Sequence, residues 1–271
     1  MESAATEVRQ PKVVSHGEWL AARKAHLARE KEFTRLRDEL SQHRRTLPWE
    51  KVEKPYVFEG PNGKVPLSNL FENKSQLIVY HFMFGPGWRE GCPSCSFLGD
   101  HFDGSTIHLA NRDVAFAVIS RATYPEIDAF KKRMGWRFKW VSSFGSDFNY
   151  DYNVSFTKEQ QESGKVFYNY TETTFPSEEG PGLSMFAKDA KGDIFHTYSS
   201  YGRGLDILLG AYNFLDMVPK GRDEEGLNFS MAWVRHHDKY AASYIVDPMQ
   251  LYKQPEKAAA SCCENEHDPK S

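Results

Sequence analysis

Two stretches of the chain are apolar without interruption at strand length: Gln76–Phe84 (QLIVYHFMF) and Val114–Ser120 (VAFAVIS). Such runs, rich in β-branched and aromatic residues, predict strands buried on both faces of a sheet. Between them, from Cys95 to about Ala110, Phe97, Leu98, Phe102 and Ile107 recur at helical spacing. Pro125–Met134 predicts a second helix, with Pro at its first turn and Gly135 behind it. The order strand, helix, strand, helix predicts an α/β fold with a βαβα unit on a parallel sheet.

The flanking segments carry weaker patterns. Residues 1–14 read as a flexible lead. Residues 15–48 read as one charged helix with a single apolar stripe (Trp19, Leu20, Leu27, Phe33, Leu36, Leu40) packed on the domain. Ser15 and Glu18 form a capping box, and Pro48 ends the segment. Tyr56–Glu59, the turn Gly60–Gly63 and Lys64–Leu67 predict a hairpin. A second hairpin joins Leu183–Lys188 to Ile194–Tyr198, and Gly204–Met217 predicts a last amphipathic helix. Trp136–Tyr150 reads as an ordered loop, and 157–181 as loop with one short strand. Residues 49–245 thus form the main domain, and 253–271 a disordered tail.

Composition narrows the function classes. The chain has 271 residues, 40% hydrophobic and 14% aromatic, enough for a substantial core. Lys plus Arg number 34 and Asp plus Glu 37, a net charge of −3, which gives no reason to expect nucleic acid as a partner. No apolar run is long enough to span a bilayer, and Met1–Gln10 lacks an apolar signal region, so no membrane partner and a cytoplasmic location are expected. Oligomeric state stays open, a homodimer included. The four cysteines stand in two close pairs, Cys92/Cys95 and Cys262/Cys263. A stapled secreted scaffold would use more of them over a shorter chain.

The chemistry centres on Gly91-Cys92-Pro93-Ser94-Cys95, where the first buried strand gives way to a helix. A thiol attacks as thiolate, and the unpaired N–H groups of a helix start favour that anion. Pro93 suits the first helical position, where its missing N–H costs nothing. Cys95 lies one turn further on, within reach of Cys92 for a disulfide. Cys92 is therefore assigned as the attacking thiol and Cys95 as the resolving thiol, with Arg89 a candidate for cationic support. A zinc site would need two more ligands, from His101, His108, Cys262 or Cys263. A peroxiredoxin-type peroxidase would need P-x-x-x-T-x-x-C. Gly85 and Arg89 occupy those positions before Cys92, and Trp88 and Cys92 occupy them before Cys95. No cofactor is implied.

Several other residues are candidates for supporting or substrate-binding roles. Arg121 ends the second buried strand at its carboxyl end, where open α/β sheets bind ligands. It is a candidate anion or thiolate partner, and a structural ion pair is the alternative. Trp88 and Trp140 are candidate pocket walls, against ordinary core packing. His196 is a candidate proton carrier, against a satisfied structural histidine. Cys262-Cys263 reads as tail, with recycling of the dithiol as the alternative.

The block Phe82–Phe97 (FMFGPGWREGCPSCSF) resembles the signature of a thioredoxin-like family. That family is catalogued as domain of unknown function eight-nine-nine and described as predicted dithiol-disulfide oxidoreductases. Lys132–Trp136, Trp140–Ser143, Asp147–Asp151, His196–Ser199 and Leu47–Trp49 resemble it too, in order, over about residues 13–245. The resemblance implies a thioredoxin-like fold, a central mixed sheet flanked by helices, with an N-terminal helical extension and inserted loops. It also implies oxidoreductase activity, on a disulfide-bearing protein or a small thiol substrate. A thioredoxin-like binding module with a non-catalytic dithiol is the competing expectation, ahead of a thiol peroxidase or a zinc-binding protein.

Overall fold

The computed structural model describes residues 11–240, so the predicted tail and the Cys262/Cys263 pair lie outside the described residues. The long helix α1 (His16–Arg44) starts where predicted. Ser15 accepts the N–H of Glu18, and the Glu18 carboxylate accepts the N–H of Ser15 in return. The expectation that α1 packs on the domain fails: none of its residues is buried, and Phe33, Leu36 and Leu40 face solvent. The reason lies in its spacing, a thin seam of single apolar residues set among charges rather than a face broad enough to enter a core.

The domain follows in the order β1 (Glu50–Lys51), β2 (Val57–Gly60), β3 (Gly63–Pro66), α2 (Leu67–Leu70), β4 (Gln76–His81), α3 (Pro93–Gly99), α4 (Asp103–Ala110), β5 (Val114–Ser120) and α5 (Tyr124–Arg133). Then come β6 (Lys139–Ser142), α6 (Phe148–Asp151), α7 (Lys158–Glu162), β7 (Val166–Tyr168), β8 (Thr171–Thr173), β9 (Gly182–Lys188) and β10 (Ile194–Tyr201). A 3₁₀ helix (Gly202–Leu208) and α8 (Gly210–Leu215) follow β10.

Eight strands form one mixed sheet in the order β1-β10-β9-β4-β5-β6-β2-β3. The predicted buried strands β4 and β5 pair in parallel, Val79 opposite Ala117. β9 and β10 form the second predicted hairpin, and β9 lies antiparallel against the other side of β4, Val79 opposite Ser184. The strand order β5-β4-β9-β10, with helices between β4 and β5 and after β10, is the thioredoxin-like core. β6, β2 and β3 extend one edge, and β1 the other.

Alternation along β4 separates two apolar layers. Tyr80 faces the layer that also holds Phe82, Cys92, Cys95, Phe130 and Trp140. Leu77 and Val79 face the other layer, with Phe58, Phe71 and Phe148. Four predicted segments differ, among them the amphipathic helix expected over Gly204–Met217, which divides at Leu209 into the 3₁₀ helix and α8. The segment 136–150 is not a loop, because Trp140 and Val141 are buried in β6, parallel to β5. Within 157–181, a short helix and the hairpin β7–β8 replace the single predicted strand. The helix expected over 95–110 breaks into α3 and α4. A Cβ at Gly99 would stand 3.0 Å from the Trp136 ring. Asp103, opening α4, turns its carboxylate to accept the N–H groups of Arg137 and Phe138 at 2.8 Å each.

Candidate functional site

Gln76–Phe84 leaves regular strand geometry after His81, and its last residues build the platform for the dithiol. Phe82 N–H donates to Ile119 O (2.9 Å), and Ala122 N–H donates to Phe84 O (2.7 Å). Between these anchors Met83 meets the dithiol from both sides: Cys92 N–H donates to Met83 O (3.0 Å), and Met83 N–H donates to Cys95 Sγ (3.5 Å). The loop Gly85–Glu90 arches out and returns at Gly91. That position admits no side chain, since a Cβ would lie 2.5 Å from the Phe82 ring and 2.9 Å from that of Phe130. His236 holds the same turn through a 2.8 Å hydrogen bond between Nε2 and Gly91 O.

Cys92 caps α3 and Pro93 opens it. Both thiols are free, and they are only 4% and 1% exposed. Their environments differ. The Cys95 thiol donates to Cys92, which lowers the Cys92 pKa from its ordinary range. The N–H groups of Cys95 and Ser94 and the Ser94 hydroxyl add to this, against the opposing effect of burial. Burial pushes Cys95 well above the thiol range, and its hydrogen bond to Cys92 and the nearby Cys92 charge push it further. Two groups oppose that rise, the Tyr80 hydroxyl and Met83 N–H. The Tyr80 hydroxyl is wholly buried and makes no hydrogen bond to nitrogen or oxygen.

The dithiol opens on a cavity of about 550 Å³. Tyr80, Met83 and Leu98 form its near wall. The far wall comes from the 3₁₀ helix, α8 and the chain beyond them, with Leu209, Tyr212, Glu224 and Met231. Phe175 and Pro181 close a third side. Tyr212 O–H, Met231 N–H and Trp233 Nε1–H all donate to Glu224 Oε1, at 2.5, 2.9 and 2.8 Å, and this clasp fixes the far wall. His101 ties α3 to α8: Ala211 N–H donates to Nε2 (3.2 Å), so Nδ1 carries the proton that goes to Phe97 O (2.7 Å).

The other sequence candidates divide. Pro93 opens the dithiol helix, as expected. Arg89 is exposed and lines no part of the cavity. Trp88 Nε1–H donates to Glu178 (3.0 Å), and Trp140 Nε1–H to Ser120 Oγ (3.1 Å), Trp140 lying inside the core rather than at the cavity. Arg121 takes the ion-pair alternative. Its Nε–H donates to Glu179 Oε1 at 2.6 Å, a second arm bonds the Tyr150 hydroxyl, and Glu178 stands 3.8 Å away. His196 lies on β10 in the other layer, within a chain that runs His196 Nε2, Ser199 Oγ, Ser184 Oγ, His81 Nε2 in steps of 2.7, 2.8 and 2.8 Å. Burial lowers the pKa of both histidines. Among the described residues, no group of three or more His, Cys, Asp and Glu could hold a metal ion.

Tyr80, Met83, Tyr212, Glu224 and Met231 were not anticipated as site residues. For Tyr80 and Met83 a signal existed, their places on the strand that leads into the dithiol. The others stand more than a hundred positions further along the chain.

Fold and dithiol position together define a protein of the thioredoxin-like class. Among solved structures, a PrxQ mutant from Xylella fastidiosa is 13% identical and covers 59% of this chain and 91% of its own, with a TM-score of 0.39. Peroxiredoxin Q from Xanthomonas campestris is 12% identical, covering 60% and 94%, also with 0.39. The peroxidoxin BcpB from Mycobacterium tuberculosis is 13% identical, covering 60% and 94%, with 0.37. No curated protein matches the chain. The chain belongs to the family of bacterial proteins of unknown function DUF899, whose model matches residues 8–240. Among the described residues no helix is long and apolar enough to cross a membrane.

Proposed function

We propose that the protein is a thiol–disulfide oxidoreductase in which Cys92 attacks and Cys95 resolves. The observation that carries this reading is geometric: two free thiols stand one helical turn apart at the start of α3, both at the edge of one cavity. Cys92 caps the helix and Cys95 Sγ accepts Met83 N–H, with Cys92 displaced down and Cys95 up in pKa. A dithiol prepared in this way holds one nucleophile and one reserved proton.

The Cys92 thiolate attacks one sulfur of a substrate disulfide. A bond forms between Cys92 Sγ and that sulfur, the substrate S–S bond breaks, and the other half leaves as thiolate. Cys92 has then lost its negative charge, so one of the influences that raised Cys95 disappears. Tyr80 and Met83 N–H remain to stabilise the Cys95 anion. Cys95 releases its proton to the departing thiolate and attacks Cys92 Sγ, and the second half of the substrate leaves. Two electrons pass from the dithiol to the substrate, and a Cys92–Cys95 disulfide remains.

Trapping tests this order. Cys95→Ser treated with a disulfide should accumulate a stable adduct on Cys92, and Cys92→Ser should form none. The proposal fails if Cys95→Ser holds no adduct and Cys92 alkylates with the pH profile of an ordinary thiol, about pKa 8.5.

A further inference from the structure

Resting on that reading, we infer that the substrate is a small, uncharged, largely apolar disulfide that enters the cavity, rather than a disulfide on a folded protein or the anionic glutathione disulfide. Three observations converge. First, both sulfurs are almost wholly covered, so the nucleophile is reached through the cavity, and a rigid protein surface has little of Cys92 to dock against. Second, the cavity, at about 550 Å³, has the size of a small-molecule site. Apolar side chains stand on all three of its sides: Met83 and Leu98 on the near wall, Leu209 and Met231 on the far wall, and Phe175 between them.

Third, carboxylates outnumber cations on its lining. Arg222 donates to Asp206 and Asp216 at 2.8 Å each and lies 3.9 Å over the Tyr212 ring. Arg203 pairs with the same Asp206 at 3.5 Å. Glu224 takes its three internal donors. Two cations and three carboxylates therefore line the wall, an excess of negative charge, and Arg222, the less exposed of the two cations, is held between two of those carboxylates while Arg203 stands 87% exposed. An anionic disulfide would lose its hydration beside a wall that holds more carboxylates than cations. An apolar one leaves water for a matching wall.

The reaction is the one written above with a small disulfide as oxidant: one dithiol is oxidised, one disulfide is reduced, and two small thiols leave. It is measured on the full chain carrying Cys262→Ser and Cys263→Ser, so that only the pair reports. The reduced protein is mixed anaerobically with diethyl disulfide, bis(2-hydroxyethyl) disulfide, glutathione disulfide or insulin. Each rate is divided by that of dithiothreitol with the same disulfide, which removes intrinsic reactivity. The two neutral disulfides should exceed the other two by about tenfold or more, the scale on which an apolar pocket discriminates. Ser230, exposed at the rim, offers a plug. Ser230→Trp should cut the neutral rates by about tenfold while leaving the circular dichroism spectrum and the pH midpoint of Cys92 alkylation unchanged. Equal or faster reaction with glutathione disulfide or insulin overturns the inference and leaves the oxidoreductase reading standing, as does a Ser230→Trp rate equal to the parent's. Failure of every disulfide to oxidise the pair overturns both.

Discussion

Replacing Arg121 by Met should destabilise the protein in a strongly pH-dependent way. Glu179 is 1% exposed and receives Arg121 Nε–H at 2.6 Å and Ser155 O–H at 2.6 Å. Burial nevertheless wins over both, and the carboxyl is pushed up to about 7. An unfolded Glu titrates near 4.3. Between those values the native state holds a proton that the unfolded state has released, so this group's contribution falls as pH rises and levels off above 7. The span corresponds to roughly 4 kcal/mol. In Arg121→Met the cation is gone, so the carboxyl titrates higher still. Well below pH 7 both proteins carry a neutral Glu179 and differ little through it. Above pH 7 the parent ionises against its partner, while the variant either keeps its proton or buries a bare charge. Breaking a buried pair costs about 3–5 kcal/mol, and protonation of Glu179 limits the loss at lower pH. Urea unfolding at pH 6 and pH 8.5 should therefore show a loss of about 1 kcal/mol at the lower pH and about 3 kcal/mol at the higher. Arg121→Met combined with Glu179→Gln should recover most of the high-pH loss. A loss equal at both pH values, or no recovery in the double variant, would refute the assignment of the effect to this carboxyl.

Further outcomes follow from the site. Cys95→Ala removes the donor that does most to lower Cys92, so the iodoacetamide pH profile of Cys92 should move upward toward the free-thiol value. Tyr80→Phe removes a hydroxyl that favours the Cys95 anion, so mass spectrometry during a single turnover should show the Cys92 mixed disulfide persisting longer, with the Cys92 profile little changed. Gly91→Ala forces a methyl group against Phe82 and Phe130 and should lower stability by about 1–3 kcal/mol, read from urea midpoints at constant m-value.

The unit from β4 to α5 was legible because its signals are local: two unbroken apolar runs, a Cys at the turn and Pro at helix starts. The strand β6 was not. It has four residues, its alternation is swamped by neighbouring aromatics, and its pairing with β5 fixes it only in three dimensions. Arg121 stood at the expected sheet end, yet its partner Glu179 comes from a segment that reads as loop. The dithiol roles rest on one short string, whereas the wall facing them is gathered from residues 175–231. Tyr212, Glu224 and Met231 carry no periodicity that points to Cys92, and the Glu224 clasp together with the His101 tie to α8 brings them there.

The crowding at Gly91 reaches beyond stability. With two rings filling the space where a side chain would stand, the position in front of the nucleophile is closed to variation. On the proposed reading, selectivity is then written on the distant wall, in a stretch that shares neither backbone nor hydrogen bonds with Cys92. Reactivity and choice of substrate thus sit on separately mutable parts of the chain. On the same proposed reading, a chain that keeps this dithiol turn unaltered is free to change in what it reduces, through substitutions around positions 203–231.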